Sequence, residues 1–284
     1  MGIGRPDRRT VGLFVPFQLL LCATTSSPAQ VVPNRTTLYL HPTDVTGARA
    51  LWVNPAGLGR LAEASIHADV TVGDPGAAGR LRQLTLGFAS RGFSLGYQRD
   101  VFDGGLRGHT YRMAVATSHA GLAAGAAATL YRGGTSGRTW DLGVLYQAGA
   151  RLAVGGVIAS IGQPVVRGVP QRVTFIPGAT LRFGGSGAGG AVSAHGRITP
   201  DSVAGYAFGL RVGLREGARA PVRVLLRLDT DGSLRRAGLA FGLSLGGNDL
   251  VGAVVTLPAL LVLLVWSAAR SVRRRREDAL LSRS

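Results

Sequence analysis

Lysine is absent from the 284 residues, and all 32 basic side chains are arginine. Acids are scarce too: 15 of them leave a formal charge of +17. Without lysine there is no phosphate loop ending in Gly-Lys-Ser/Thr and no Ser/Lys dyad. Cysteine occurs once, at Cys22, which excludes a disulfide framework and a cysteine zinc site. Long polar tracts are missing and 46% of residues are apolar, so the chain is not disordered. Glycine is abundant, with 43 residues, but lacks the three-residue period of collagen.

The two ends differ from the middle. Arg5, Arg8 and Arg9 precede an apolar core from Val11 to Leu21 and the small run Ser27-Pro28-Ala29. This predicts an export signal over residues 1–29, with Gln30 opening the mature chain. The core is too short for the roughly 20 residues that span a bilayer. Leu21 is bulky where a lipoprotein box needs a small residue, so lipidation of Cys22 is not expected. At the other end, Leu250 to Ala269 carries no charge, and Arg270 and Arg273 to Arg276 follow. As a helix this run would be about 30 Å long, enough to cross a bilayer. The reading is therefore an apolar transmembrane-type helix over 249–269 and a basic tail over 270–284.

Between the ends, twelve segments alternate large apolar with small or polar residues, punctuated by Gly, Asp, Asn, Pro or Ser. They fall at about 64–72, 80–89, 91–99, 109–119, 121–132, 138–148, 150–161, 170–184, 188–198, 202–214, 219–229 and 234–246. In 138–148, Trp140, Leu142, Val144 and Tyr146 oppose Asp141, Gly143 and Gln147. In 219–229, Val222, Val224, Leu226 and Leu228 oppose Arg223, Arg227 and Asp229. Segments 121–132 and 188–198 are too rich in Ala and Gly to orient. Short links between consecutive segments imply an antiparallel meander.

A soluble sandwich would turn the apolar face inward, whereas a transmembrane barrel turns it to lipid. Segment lengths near 9–11 residues, small and arginine-rich polar faces, aromatics near strand ends and the export signal all favour the barrel. The expected fold is all-β: an antiparallel up-and-down transmembrane β-barrel of about twelve strands over 64–247. An N-terminal extension over 30–63, with a short helical turn, precedes it, and the C-terminal apolar helix follows.

The extension contains Asp44-Val45-Thr46-Gly47-Ala48-Arg49-Ala50-Leu51-Trp52-Val53-Asn54-Pro55-Ala56-Gly57-Leu58-Gly59. This resembles the Asn-Pro-Ala-Gly segment near the mature N-terminus of bacterial outer-membrane barrels, the group of the long-chain fatty-acid transporter and the PorV-like barrels of type IX secretion. It is also similar to the barrel module of some signal-peptide-peptidase proteins. The resemblance covers about sixteen residues and implies a small helical hairpin that plugs or braces the barrel. Trp52, Asn54, Pro55, Ala56 and Gly57 would form that plug and its turn. Asn-Pro favours a turn independently of any family. The chain departs from the group in being shorter and in lacking a closing aromatic strand end.

Signs of chemistry are few. The five histidines, His41, His67, His109, His119 and His195, form no metal-ligand spacing, so no metal, cofactor or enzyme activity is expected. Ser193 and His195 share a strand face but read as polar lining, and no Gly-x-Ser-x-Gly elbow occurs. With the apolar face in lipid, Arg112, Arg151, Arg172, Arg182, Arg211, Arg223, Arg227 and Arg236 would face the lumen. An interior so lined prefers anions. The expected function is passive or facilitated transport of an anionic or amphipathic small molecule across the outer membrane. The alternative is a structural barrel that partners an envelope secretion or assembly machine and has no conduit of its own. Membrane lipid is the expected environment, nucleic acid is excluded by export, and anchoring of 250–269 in the inner membrane is the alternative location.

Overall fold

The computed structural model describes residue 37 and residues 40–258, except 46, 62 and the links 73–80, 102–106, 134–136, 167–168, 185–187, 215–221 and 246–247. The expected signal over 1–29, residues 259–269 of the expected helix and the basic tail lie outside the described residues.

Two short helical pieces come first: α1, Ala50–Val53, and a 3₁₀ helix, Pro55–Arg60. The strands are β1 Ser65–Val72, β2 Leu81–Ser90, β3 Phe93–Val101, β4 Arg107–His119, β5 Leu122–Arg132, β6 Gly137–Ala148 and β7 Leu152–Ile161. A small hairpin, β8 Val165–Val166 with β9 Val169–Pro170, decorates the next link. Then come β10 Thr174–Gly184, β11 Ala188–Thr199, β12 Ser202–Leu214, β13 Val222–Asp231, β14 Arg236–Leu245 and β15 Asn248–Pro258. Apart from β8 and β9, all pair with their chain neighbours in one antiparallel sheet of thirteen strands. Each of the twelve expected segments is a strand of this up-and-down sheet. Two of its turns, Arg91-Gly92 and Ala120-Gly121, hold both residues at positive φ, the geometry that matches the twist of a two-residue hairpin.

The thirteenth strand corrects the expectation of an apolar helix from residue 249. Asn248–Pro258 pairs with β14 from Asn248 opposite Leu245 to Pro258 opposite Arg236. Its β-branched residues, Val251, Val254, Val255 and Thr256, suit a pleated ladder, and Pro258 stands at its last position, where a missing N–H costs least. No helix among the described residues is long and apolar enough to cross a membrane, which says nothing of strands that cross one.

Side-chain burial runs opposite to that of a soluble domain. On β6, Trp140, Leu142, Val144 and Tyr146 are exposed, while Thr139, Asp141 and Leu145 between them are buried. On β10, Phe175, Leu181 and Phe183 are exposed and Thr180 is buried. The two small-residue strands also declare their faces. Ala123, Ala127 and Thr129 of β5 point inward, as do Ala191, Ser193 and His195 of β11, with Leu130 and Val192 outward.

The buried face is concave, because one segment, Leu40 to Leu61, touches strands from both halves of the sheet. It bonds to β1, to β4 and to β10, β11 and β13. Strand faces make room for it. A Cβ on Gly125 would stand 2.6 Å from the Pro55 carbonyl carbon, and one on Gly96 2.7 Å from the Trp52 ring. Glycine at these two positions lets the segment lie directly on backbone.

Candidate functional site: the enclosed N-terminal segment

The segment turns on Asn54, which is fully buried. Its backbone is extended, with φ −150° and ψ 106°, and its Oδ1 accepts a hydrogen bond from the Ala56 N–H at 3.0 Å, capping the 3₁₀ helix. Pro55 sits at the first helical position, where it has no N–H to leave unpaired. The other end of the Asn54 amide donates to the Pro42 carbonyl at 2.8 Å and so ties the two arms of the segment together. Ala56, Gly57 and Leu58 are buried behind it. The Asn-Pro-Ala-Gly turn is thus an enclosed structural pivot.

Each arm is fastened to the wall. Arg49 binds Asp69 of β1 through two contacts, at 3.2 and 2.6 Å. Trp52 donates its indole N–H to His67 Nε2 at 3.2 Å, and the Arg112 guanidinium lies 5.9 Å from its ring centre. Ser118 of β4 donates to the Gly59 carbonyl at 2.6 Å. On the other side, the Asp44 carboxylate is held by Arg182 of β10 at 3.0 Å and by Arg211 of β12 at 2.9 Å. Thr43 continues into a hydroxyl chain, 2.7 Å to Thr180 and 2.8 Å onward to Ser193. His41 meets His195 with their Nδ1 atoms 3.0 Å apart. Arg227 of β13 donates to the Leu40 carbonyl at 2.6 Å.

The arginines expected to line the interior divide into groups. Arg112, Arg182, Arg211 and Arg227 lie on the concave face and are engaged. Arg112 forms an ion pair with Asp141, and Arg227 binds Asp229 as well as Leu40. Arg223 shares the β13 face of Arg227 and has a partner of its own. Arg236 opens β14 opposite Pro258. Two placements correct the sequence reading. Arg151 is exposed in the turn between β6 and β7, and Arg172 precedes β10, 61% exposed and paired with Asp201. Alternation assigns a face only within a hydrogen-bonded ladder, and the segments 150–161 and 170–184 began before theirs.

Sequence reasoning missed the anchors His41, Thr43, Asp44 and Arg49. Asp44 and Arg49 left a signal: two isolated opposite charges flanking an apolar segment that is otherwise free of them. The Ser193–His195 pair is engaged with the segment. Ser193 ends the Thr43–Thr180 hydroxyl chain and His195 faces His41, while no group of three or more metal-ligating residues occurs among the described residues.

Compared with known protein families, curated proteins and solved structures, the chain matches none. Its function rests on the geometry.

Two outcomes follow for the segment. Replacing Asn54 by Ala removes the cap and strands the buried Pro42 carbonyl. It should destabilise the protein by about 1–3 kcal/mol in denaturant unfolding and speed proteolysis between residues 40 and 61. Burial, and next the nearby Arg227 charge, push the His41 imidazole down from 6.5 to about 3. The unfolded chain therefore binds more protons than the folded one between those values, and stability falls as the pH drops through that window. His41→Asn should reduce the acid dependence of the unfolding midpoint between about pH 6.5 and about pH 3.

Proposed function

We propose that this protein is a closed transmembrane β-barrel of the bacterial outer membrane, with its interior occupied by its own N-terminal segment. On this reading it is a structural barrel for an envelope partner rather than an open conduit. The observation that carries the proposal is the fastening of Leu40–Leu61 from both halves of the sheet, through Asp69, Arg182, Arg211, His195 and Arg227.

The membrane reading follows from the inverted faces. An outer surface of exposed Leu, Val, Phe, Tyr and Trp side chains is far larger than the apolar patches that soluble monomers tolerate. Lipid would cover it, and lipid forbids free sheet edges, which argues for closure. A ten-residue strand such as β2 is about 33 Å long, and tilted by about 40° it spans about 25 Å, the height of a barrel's apolar band. The resemblance of the Asn54-Pro55-Ala56-Gly57 turn to outer-membrane barrels points to the same compartment.

Scaffolding is favoured over transport because the inward arginines are spent. Asp44, Asp141 and Asp229 take Arg182, Arg211, Arg112 and Arg227. Three carboxylates offset three of these four charges, and the segment stands in the path.

Reconstitution tests both parts. Val224→Arg puts a charge on the lipid face and should block assembly, at a cost of about 2–4 kcal/mol near the midplane, whereas Arg223→Leu should still assemble. Wild-type protein in planar bilayers should show no steady conductance. Steady anion-selective current from correctly folded protein would restore transport, and a detergent-independent soluble monomer would overturn the membrane reading.

A further inference from the structure

The outer face of β3 to β6 carries a feature that the enclosed segment does not use. At the strand ends that meet the links 102–106 and 134–136, four arginines and a histidine gather. Arg99 stands opposite His109, and His109 opposite Arg132, so the three form one row across β3, β4 and β5. Arg107 lies two residues before His109 on β4, and Arg138 is the second residue of β6, opposite Leu130. Strand alternation puts all five on the outer face, because Gln98, Asp100, Thr110, Thr129 and Thr139 between them are buried inward. With strands about 4.8 Å apart, the patch is about 15 Å wide.

No acid among the described residues of these strand ends shares that face. Asp100 points inward to Gln83 and Gln98, and Asp141 to Arg112. The Nε of Arg99 is buried without a hydrogen-bond partner. Below the row, the Tyr97 hydroxyl meets His109 Nδ1 at 2.8 Å, and Tyr97 and Tyr111 lie 5.3 Å apart, forming an aromatic shelf. Beneath the shelf runs an apolar trough of about 760 Å³, lined by Leu95, Met113, Leu130 and Trp140, with Arg138 at its margin.

We infer that this face is a binding site for a lipid with an anionic phosphate headgroup, the phosphate seated on Arg99, Arg107, Arg132 and Arg138 and an acyl chain in the trough. The inference rests on the membrane reading above. Guanidinium forks suit phosphate oxygens. The aromatic shelf suits the level where headgroup meets hydrocarbon. The trough adds a requirement that no soluble anion meets: the charged group must carry a hydrocarbon tail.

The test uses the full-length protein in phosphatidylcholine vesicles containing either dibrominated phosphatidic acid or dibrominated phosphatidylcholine. Bromine quenches Trp140, which is exposed on the trough, and subtraction of the Trp140→Phe signal isolates it. Quenching should favour the phosphatidic acid by at least about fivefold, since a basic residue at an anionic surface contributes about that factor. The preference should fade with salt and be lost in the triple variant R107Q/R132Q/R138Q. Equal quenching by the two lipids, a preference indifferent to salt, or a folded triple variant that keeps the preference would each overturn the site. Where the triple variant fails to fold, the wild-type salt series decides. Quenching by neither lipid would remove the membrane reading itself, an outcome distinct from equal quenching.

Discussion

A sheet that turns its large apolar side chains outward must satisfy every polar side chain it turns inward. The rest of this structure depends on how that demand is met. The strands of the sheet direct Thr, Ser, Gln, Asp, His and Arg to a concave face, where many are buried. Burying a charge without a partner is far more costly than any surface ion pair is favourable. Many of the partners come from the short stretch that precedes the first strand. Asp44 is the clearest case, since one carboxylate answers Arg182 and Arg211 on two strands that flank a third. Arg49 does the reverse for Asp69. The segment is therefore part of the interior's polar accounting, and the sheet and the segment complete one another.

The same demand explains the small residues. A wall lined with large side chains would leave no space for a backbone to enter, and a wall lined with none would leave voids. Gly96 and Gly125 open the floor under Trp52 and Pro55, while Ala123, Ala127 and Leu145 fill what remains. Asn54 then fixes the path of the chain by spending both ends of its amide on backbone within the segment. The pivot is buried, and each end of the Asn54 amide has a backbone partner within the segment.

Charge is distributed by face. Inside, arginines are held by aspartates or carbonyls. On the outer rim of β3 to β6, arginines stand together with no acid on their face among the described residues, above an apolar trough. Identical side chains thus do opposite work. Those within brace the segment, and those outside offer charge to whatever lies against the sheet.

Much of this was legible in the residues. Alternation of period two located twelve strands and gave the correct faces where large residues such as Trp140 or Leu226 marked them, because pleating fixes side-chain direction locally. The Asn54-Pro55 turn was legible for the same reason: proline's ring and a capping amide act on their immediate neighbours. Alternation failed at Arg151 and Arg172, which lie past the ladder ends, and at β5 and β11, where alanine and glycine give no contrast. It failed again at Asn248–Pro258, since an apolar run fits a helix or a strand equally well until a neighbouring edge offers it hydrogen bonds. The sequence by itself determined the meander and which way most side chains point, both consequences of short-range backbone geometry. Only the tertiary structure decided that Asp44 would sit between Arg182 and Arg211 and that Arg99, Arg107, Arg132 and Arg138 would meet on one rim. Those encounters depend on how the sheet curls and on which strands become neighbours, and no local pattern encodes the distance between residues so far apart along the chain.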